Sequence, residues 1–180
     1  LCLCLEHSHL AKKAVLRDGL FHWIMNRLVE DFPMLNAFAR GVDAPVNAMS
    51  SKDPEPLFME NLCSMKVLQG LLKQSLEVKA VALDDGRLPC LLGDLWLLCP
   101  AMPRFTEDVL SVCVNLVSND PAAQRSLASH STMRKGASNL AKSSSGSLLS
   151  RVLDTAFSRR SSGALSAEEV QLCLHLVKVM

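Results

Sequence analysis

Residues 81–92 read Val81-Ala-Leu-Asp-Asp-Gly-Arg-Leu-Pro-Cys-Leu-Leu92, and this stretch decides the fold class. Glycine accepts the left-handed backbone conformation that ends many helices, so a short helix over 77–83 should end at Gly86. The leucines that follow have helical spacing and share one face of a longer helix over 88–99: Leu88, Leu91, Leu92, Leu95 and Leu98. The stretch therefore predicts two helices joined by a tight glycine turn.

The same pattern recurs along the chain. Residues 1–28 align without gaps on residues 68–95, an offset of 67. The identical pairs include Ser8/Ser75, Lys12/Lys79, Asp18/Asp85 and Gly19/Gly86. A third copy is predicted 44 residues after the second, with Leu72/Leu116, Val78/Ala122 and Leu83/Leu127 as its pairs. Each copy reads as a buried helix, a short helix and a longer helix, and such repetition of a small helical unit is typical of an α-solenoid.

Composition supports an all-α fold. Apolar residues make up 49% of the 180, but aromatic residues only 4%, so leucine, valine, alanine and methionine must fill the core. We expect one armadillo/HEAT-like domain over 1–180, with about three to four irregular repeats. The chain begins without Met and inside a helix-like run, so we interpret it as a fragment of a longer protein.

Two insertions are predicted to interrupt the repeats. Residues 32–56 contain four prolines and are predicted to be an irregular loop. Residues 128–147 are rich in serine, glycine and lysine and should be flexible and exposed. Helical periodicity returns over 148–157 and 167–180, and Ser166 with Glu169 predicts a capping box at the start of the last helix.

Charge and cysteine usage exclude several classes of function. The 19 basic and 18 acidic residues leave a net charge of +1, which gives no support for a nucleic-acid or membrane binder. The most apolar stretch, 88–102, is shorter than the roughly 20 residues of a membrane-spanning helix. Seven cysteines, an odd number and mostly within apolar runs, indicate reduced, buried thiols and a cytoplasmic protein.

An enzyme is the rival class. Cys2, Cys4, His7 and His9 are four possible ligands of a zinc ion. Residues two apart on a helix point to different faces, however, so buried thiols are the simpler interpretation. There is no nucleophile elbow and no phosphate-binding glycine loop. We therefore expect no catalytic activity and no cofactor, with a metal-dependent enzyme as the alternative.

Two segments resemble armadillo repeats. The segment Val112-Cys-Val-Asn-Leu-Val-Ser-Asn-Asp120 is similar to the third helix of such a repeat and the turn after it. Residues 81–92 resemble the first helix, the glycine turn and the start of the second helix. The similar segments cover roughly 85 of the 180 residues.

The order of these segments resembles the rotatin and anastral spindle protein family. The resemblance rests on Ala14-Val-Leu-Arg-Asp-Gly-Leu-Phe21, the insertion 32–56, the repeats after it, the serine-rich loop and Leu148-Leu-Ser-Arg-Val-Leu153. It implies an armadillo-like scaffold for centriole assembly and elongation, without catalytic activity. It further implies a location at the centriole, centrosome or basal body, and a partner that is a helical segment of another centriolar protein.

Asn115 is the first candidate partner-binding residue. In armadillo repeats an asparagine at this place faces the concave groove, where its amide can bond the backbone of an extended peptide. The aligned positions in the other copies are Cys4 and Leu71, so a ladder of asparagines is missing. A peptide-binding adaptor in transport or signalling is therefore the alternative function, and a solvated or satisfied side chain is the simpler interpretation.

The basic region is the second candidate. Between residues 121 and 163 seven basic residues stand against Asp154 alone, a local charge of +6. Arg159 and Arg160 could attract an acidic partner, and contact with microtubules stays open. The run Arg159-Arg-Ser-Ser162 has the spacing of a basophilic kinase site at Ser162, where phosphate would offset that charge. A solvated loop is the simpler interpretation.

The last helix is the third candidate. Its residues from Val170 onward are apolar almost all round, which predicts that a neighbouring repeat or a partner covers them. We expect a helical partner to use Leu172, Leu176 and Val179.

Overall fold

The computed structural model describes residues 5, 7–41, 54–99, 101–129, 150, 152 and 166–179. Within these residues the chain forms eight helices and no strand. The helices are α1 (His9–Arg17), α2 (Leu20–Ala39), α3 (Pro54–Leu72), α4 (Leu76–Asp85), α5 (Arg87–Trp96), α6 (Arg104–Val117), α7 (Pro121–Ser129) and α8 (Ala167–Val179). The all-α prediction is confirmed for this part of the chain.

The repeat at an offset of 67 is confirmed in the backbone. Ser8 and Ser75 cap α1 and α4, and each hydroxyl oxygen accepts a hydrogen bond from the N–H three residues later, at 3.2 Å and 3.4 Å. Gly19 and Gly86 follow these helices with φ of 75° and 67°, the left-handed region that glycine adopts at little cost. The same cap and the same turn therefore begin and end both short helices.

The third copy is shifted by one residue from its predicted register. Asp120 caps α7 and accepts from the N–H of Ala123 at 3.1 Å, as Ser75 does from Val78. The residue before each cap has a positive φ, 56° at Gln74 and 58° at Asn119. Asp120 lies 45 residues after Ser75, so the predicted offset of 44 is wrong at the cap. Asp120 before Pro121 is itself the sequence signal for a helix start, and α7 begins at Pro121 as that signal predicts.

Corresponding helices of successive units lie against one another. The short helices α4 and α7 contact each other, and so do the longer helices α2 and α5. Helices α3, α6 and α8 form the most extensive contacts, with α6 in the middle. Phe58 and Phe105 close one end of the α3–α6 contact, with ring centroids 5.0 Å apart in an edge-to-face arrangement.

The prediction of an irregular loop over residues 32–56 is wrong at both ends of that range. Helix α2 continues through Pro33 to Ala39 because Phe32 and Leu35 extend its buried stripe into the core. Burial of these side chains outweighs the hydrogen bond that a proline removes from a helix. At the other end α3 begins at Pro54, since a first helical turn has no use for the N–H that proline lacks. Residues 42–53 lie outside the described part.

In the later part of the chain the structure agrees more closely with the predictions from the sequence. Ser166 and Glu169 form the predicted capping box: the Glu169 N–H donates to the serine hydroxyl at 3.1 Å, and the Ser166 N–H donates to the carboxylate at 2.6 Å. Residues 128 and 129 complete α7, and the remainder of the serine-rich insertion lies outside the described residues. Of residues 148–157, only Ser150 and Val152 are described, and Val152 is buried in the core.

Candidate partner-binding groove

An apolar groove runs between α2 and α3. Its walls carry the side chains of Leu20, Trp23 and Ile24 on α2, and of Met59, Cys63 and Val67 on α3, around a cavity of about 640 Å³. We call it the Trp23 groove. A volume of this order is typical of a site that binds a ligand or a few side chains of a partner.

Helical spacing explains why these side chains share one groove. Leu20, Trp23 and Ile24 lie at positions i, i+3 and i+4 of α2, and Met59, Cys63 and Val67 follow one another at intervals of four on α3. The core stripe of α2 lies beside this face, with Phe21 and Met25 fully buried. The apolar surface of α2 therefore extends past its buried stripe to Trp23, which the rest of the described chain leaves exposed.

Two large apolar side chains of the groove are exposed to solvent. Trp23 is 59% exposed and Met59 is 45% exposed. Tryptophan is the residue most enriched among side chains that dominate protein–protein binding energy, and methionine adapts to differently shaped partners. Sequence analysis did not single out this groove, although a tryptophan outside the core stripe of α2 was the available signal.

One end of the Trp23 groove is charged. The guanidinium of Arg27 lies 2.6 Å from Glu60 Oε2 and 3.0 Å from Asp31 Oδ2. These carboxylates raise the pKa of Arg27, chiefly through the hydrogen bond that its guanidinium donates to Glu60, and Glu30 adds a smaller electrostatic contribution. Asp31 also accepts from the Asn61 amide at 3.1 Å. Three carboxylates thus surround a single guanidinium.

Asn115 contacts a neighbouring helix of its own chain. Its Nδ2 donates to the backbone oxygen of Gln69 on α3 at 3.3 Å, and the side chain is half-buried. The Gln69 amide in turn donates to the buried carboxylate of Asp108 at 2.7 Å, and Lys66 pairs with the same carboxylate at 2.8 Å. Asn115 is thus one member of a polar row between α3 and α6.

The structure buries one of the three predicted partner-binding residues of α8. Leu176 is fully buried against the core, and so is Cys173 one turn earlier. Leu172 is half-buried and lines a shallow groove of about 580 Å³ with Glu107, Ser111 and His175, among others. The exposed apolar residues of α8 are Val170, Leu174 and Val177, which form a separate stripe. The side chain of Val179 lies outside the described part.

Most of the remaining predicted site residues lie outside the part of the chain that the structure describes. Arg159, Arg160 and Ser162 lie there, and so do the possible metal ligands Cys2 and Cys4. His7 and His9 are exposed. Among the described residues no three His, Cys, Asp or Glu side chains cluster closely enough to hold a metal ion.

None of the described cysteines forms a disulfide bond, and their surroundings differ. Cys99, Cys113 and Cys173 are buried, as predicted, whereas Cys63 is exposed in the Trp23 groove. Burial raises the pKa of the Cys113 thiol and raises that of Cys173 to about 11, so the thiolate form is disfavoured at neutral pH. Cys63 is therefore the most accessible described thiol.

Comparisons with protein-family models, with curated proteins and with solved structures found no match to this chain. Among the described helices, none is both long and apolar enough to cross a membrane.

Proposed function

We propose that this chain is an armadillo-like module of a non-catalytic scaffold and that it binds a helical segment of another protein in the Trp23 groove. The observation that carries the proposal is the exposure of Trp23, at 59%, beside Met59, at 45%, in a single apolar groove. Exposing two large apolar side chains of one groove to water is unfavourable in free energy. A partner that covers them removes this cost.

The solenoid part of the proposal rests on the repeated unit. Serine caps, buried lysines and left-handed glycines recur at the same offset, and corresponding helices contact one another. A stack of such units buries each helix against its neighbours and leaves long surfaces for partners. This is the arrangement that the armadillo resemblance implies.

The centriolar part of the proposal rests on the family resemblance. The order of the glycine turns, the insertion and the serine-rich loop is similar to that of rotatin and the anastral spindle proteins. We propose that the chain acts in the cytoplasm at the centriole, centrosome or basal body, in centriole assembly or elongation. Its partner is then a helical segment of a centriolar protein.

Proximity labelling in cells that form centrioles tests both parts. The wild-type chain is compared with a Trp23→Gln variant and with Leu76→Gln, a control that alters a leucine of 65% exposure outside the groove. We expect the wild type and Leu76→Gln to label the same centriolar proteins and Trp23→Gln to lose them. Circular dichroism verifies that all three are equally helical.

The outcomes separate the two parts. If Trp23→Gln labels the same proteins as the wild type, the Trp23 groove is not the binding site. If the wild type labels no centriolar protein, the centriolar assignment is wrong, whatever the groove binds.

A further inference from the structure

The geometry points to a specific occupant: we infer that the Trp23 groove binds a short amphipathic helix with a basic flank. This inference rests on the proposed function and adds the chemistry of the partner. It is carried by the shape of the groove, its exposed apolar side chains and the excess of carboxylates at one end.

The length of the groove sets the length of the occupant. From Leu20 to Arg27 the wall formed by α2 is about 10 Å long, and from Met59 to Val67 the wall formed by α3 is about 12 Å long, at 1.5 Å per residue. About two turns of a helix fit between them. An occupant of that length presents apolar side chains at i, i+4 and i+7, the pattern by which amphipathic helices fill grooves.

The carboxylates give the occupant its charge. Arg27 neutralises one of the three around it, so Glu30, Asp31 and Glu60 together leave two negative charges at that end. The side chain of Glu60 is 53% exposed and Glu30 is exposed, so both can accept from a lysine or arginine of an incoming helix. Charge complementarity of this kind favours a basic partner and rejects an acidic one.

The same charges disfavour two other occupants. In a symmetric dimer through this groove both sides of the contact would carry the same net negative charge, since the contact is isologous, and the two copies would repel each other. An anionic lipid surface would be repelled for the same reason.

The chain offers two reporters for a binding experiment. Trp23 is exposed whereas Trp96 is buried, so a change in tryptophan emission on binding reports on Trp23. Cys63 lies in the groove and is exposed, so its alkylation rate, read by mass spectrometry of the cysteine-containing peptides, reports on coverage of the same surface.

The probes are two designed 14-residue helical peptides. Both carry leucines at i, i+4 and i+7, and they differ only in having lysines or glutamates on the flank. We expect the lysine peptide to shift the emission of the full chain to shorter wavelength and to slow alkylation of Cys63. We expect the glutamate peptide to bind at least about tenfold more weakly, with the difference shrinking as salt screens the charges.

Charge variants test whether the carboxylates at the end of the Trp23 groove cause the preference for the lysine peptide. The double variant Glu30→Gln/Glu60→Gln should bind the lysine peptide about three- to tenfold more weakly, which corresponds to the loss of exposed charge pairs. Glu107→Gln, an exposed glutamate on α6, is the matched control and should bind as the wild type does.

Each other outcome overturns the inference. Equal binding of both peptides, or tighter binding of the glutamate peptide, shows that a basic flank is not selected. Absence of binding by the lysine peptide shows that the groove does not take such a helix. If labelling in cells still depends on Trp23 in that case, the proposed function stands and only the partner chemistry is wrong. If labelling does not depend on Trp23, the groove itself is the wrong site.

Discussion

Lys12 and Lys79 occupy equivalent positions in successive units, and both are buried. The ammonium of Lys12 donates to the backbone oxygen of Lys73 just after α3, and that of Lys79 donates to the backbone oxygen of Ser118 just after α6. The last carbonyls of a helix have no partner within it and carry the negative end of its dipole, which favours a cation there. Each lysine therefore joins a short helix to the end of a long one.

The burial of Lys79 predicts a pH dependence of stability. Desolvation lowers the pKa of Lys79 from its usual value of 10.5, with a smaller opposing effect of Asp120. Between the folded pKa and 10.5 the unfolded chain binds more protons at this site, so the free energy of unfolding rises with pH there. Urea titrations should show this rise in wild type relative to Lys79→Met.

The control for Lys79 is an exposed lysine. Lys13→Met removes a side chain of 61% exposure and should leave the alkaline rise in place. An identical pH profile for wild type and Lys79→Met would contradict a desolvated ammonium at this position.

Asp85 should stabilise the fold in the opposite range of pH. Its carboxylate accepts from Arg87 Nη2 at 2.7 Å and lies 3.2 Å from His22 Nδ1 on α2. The hydrogen bond from Arg87 is the main cause that lowers the pKa of Asp85. This stabilisation is complete above the unfolded pKa and is lost as pH falls through the folded pKa.

Asp85→Asn is therefore expected to lower the free energy of unfolding at pH 7 by about 1–2 kcal/mol. It should also make the free energy of unfolding fall less steeply as the pH drops below about 4. Acid and urea titrations followed by circular dichroism measure both effects. Asp84→Asn, which alters an exposed neighbour, is the control and should retain the acid dependence.

Asn115→Ala distinguishes a structural role from peptide binding. The substitution removes the hydrogen bond to the Gln69 carbonyl, so we expect a loss of stability of about 1 kcal/mol in urea unfolding. Binding in the Trp23 groove should not change. Ser111→Ala, one turn earlier on α6, is the control. Loss of extended-peptide binding without loss of stability would instead favour the adaptor function.

The two faces of α8 should respond differently to truncation. Leu176 is fully buried, so Leu176→Ala should destabilise the chain by about 2–5 kcal/mol. Leu174 is 49% exposed, and Leu174→Ala should change stability by no more than about 0.5 kcal/mol. Urea unfolding of the two variants measures the difference. Equal effects would show that α8 does not pack in this orientation.

Local signals in the sequence indicate where several of the helices begin and end. Serine before a helix and glycine after it act through their own backbone and nearest neighbours, so Ser75, Gly86 and the Ser166 capping box could be recognised without a structure. The prolines of residues 32–56 were misleading because their effect depends on burial. Pro33 is tolerated in α2 since the flanking Phe32 and Leu35 reach the core.

The surroundings of the candidate site residues could not be predicted from the sequence. Asn115, Leu172 and Leu176 were correctly assigned to helices, but their surroundings are set by contacts with residues far away in the chain. The α6–α8 contact buries Leu176, and α3 supplies the carbonyl that binds Asn115. The Trp23 groove exists only because α2 and α3, which are separated by residues 40–53, lie side by side.

The sequence by itself determined the all-helical fold, the repeat and the caps of the short helices, because these depend on periodicity and on local hydrogen bonds. Only the tertiary structure decided which apolar face of each helix is covered. A helix that is apolar on two sides, such as α2 or α8, has the same sequence pattern whichever side packs. The choice is made by the total burial of all helices together, and it left Trp23 in solvent while it enclosed Leu176.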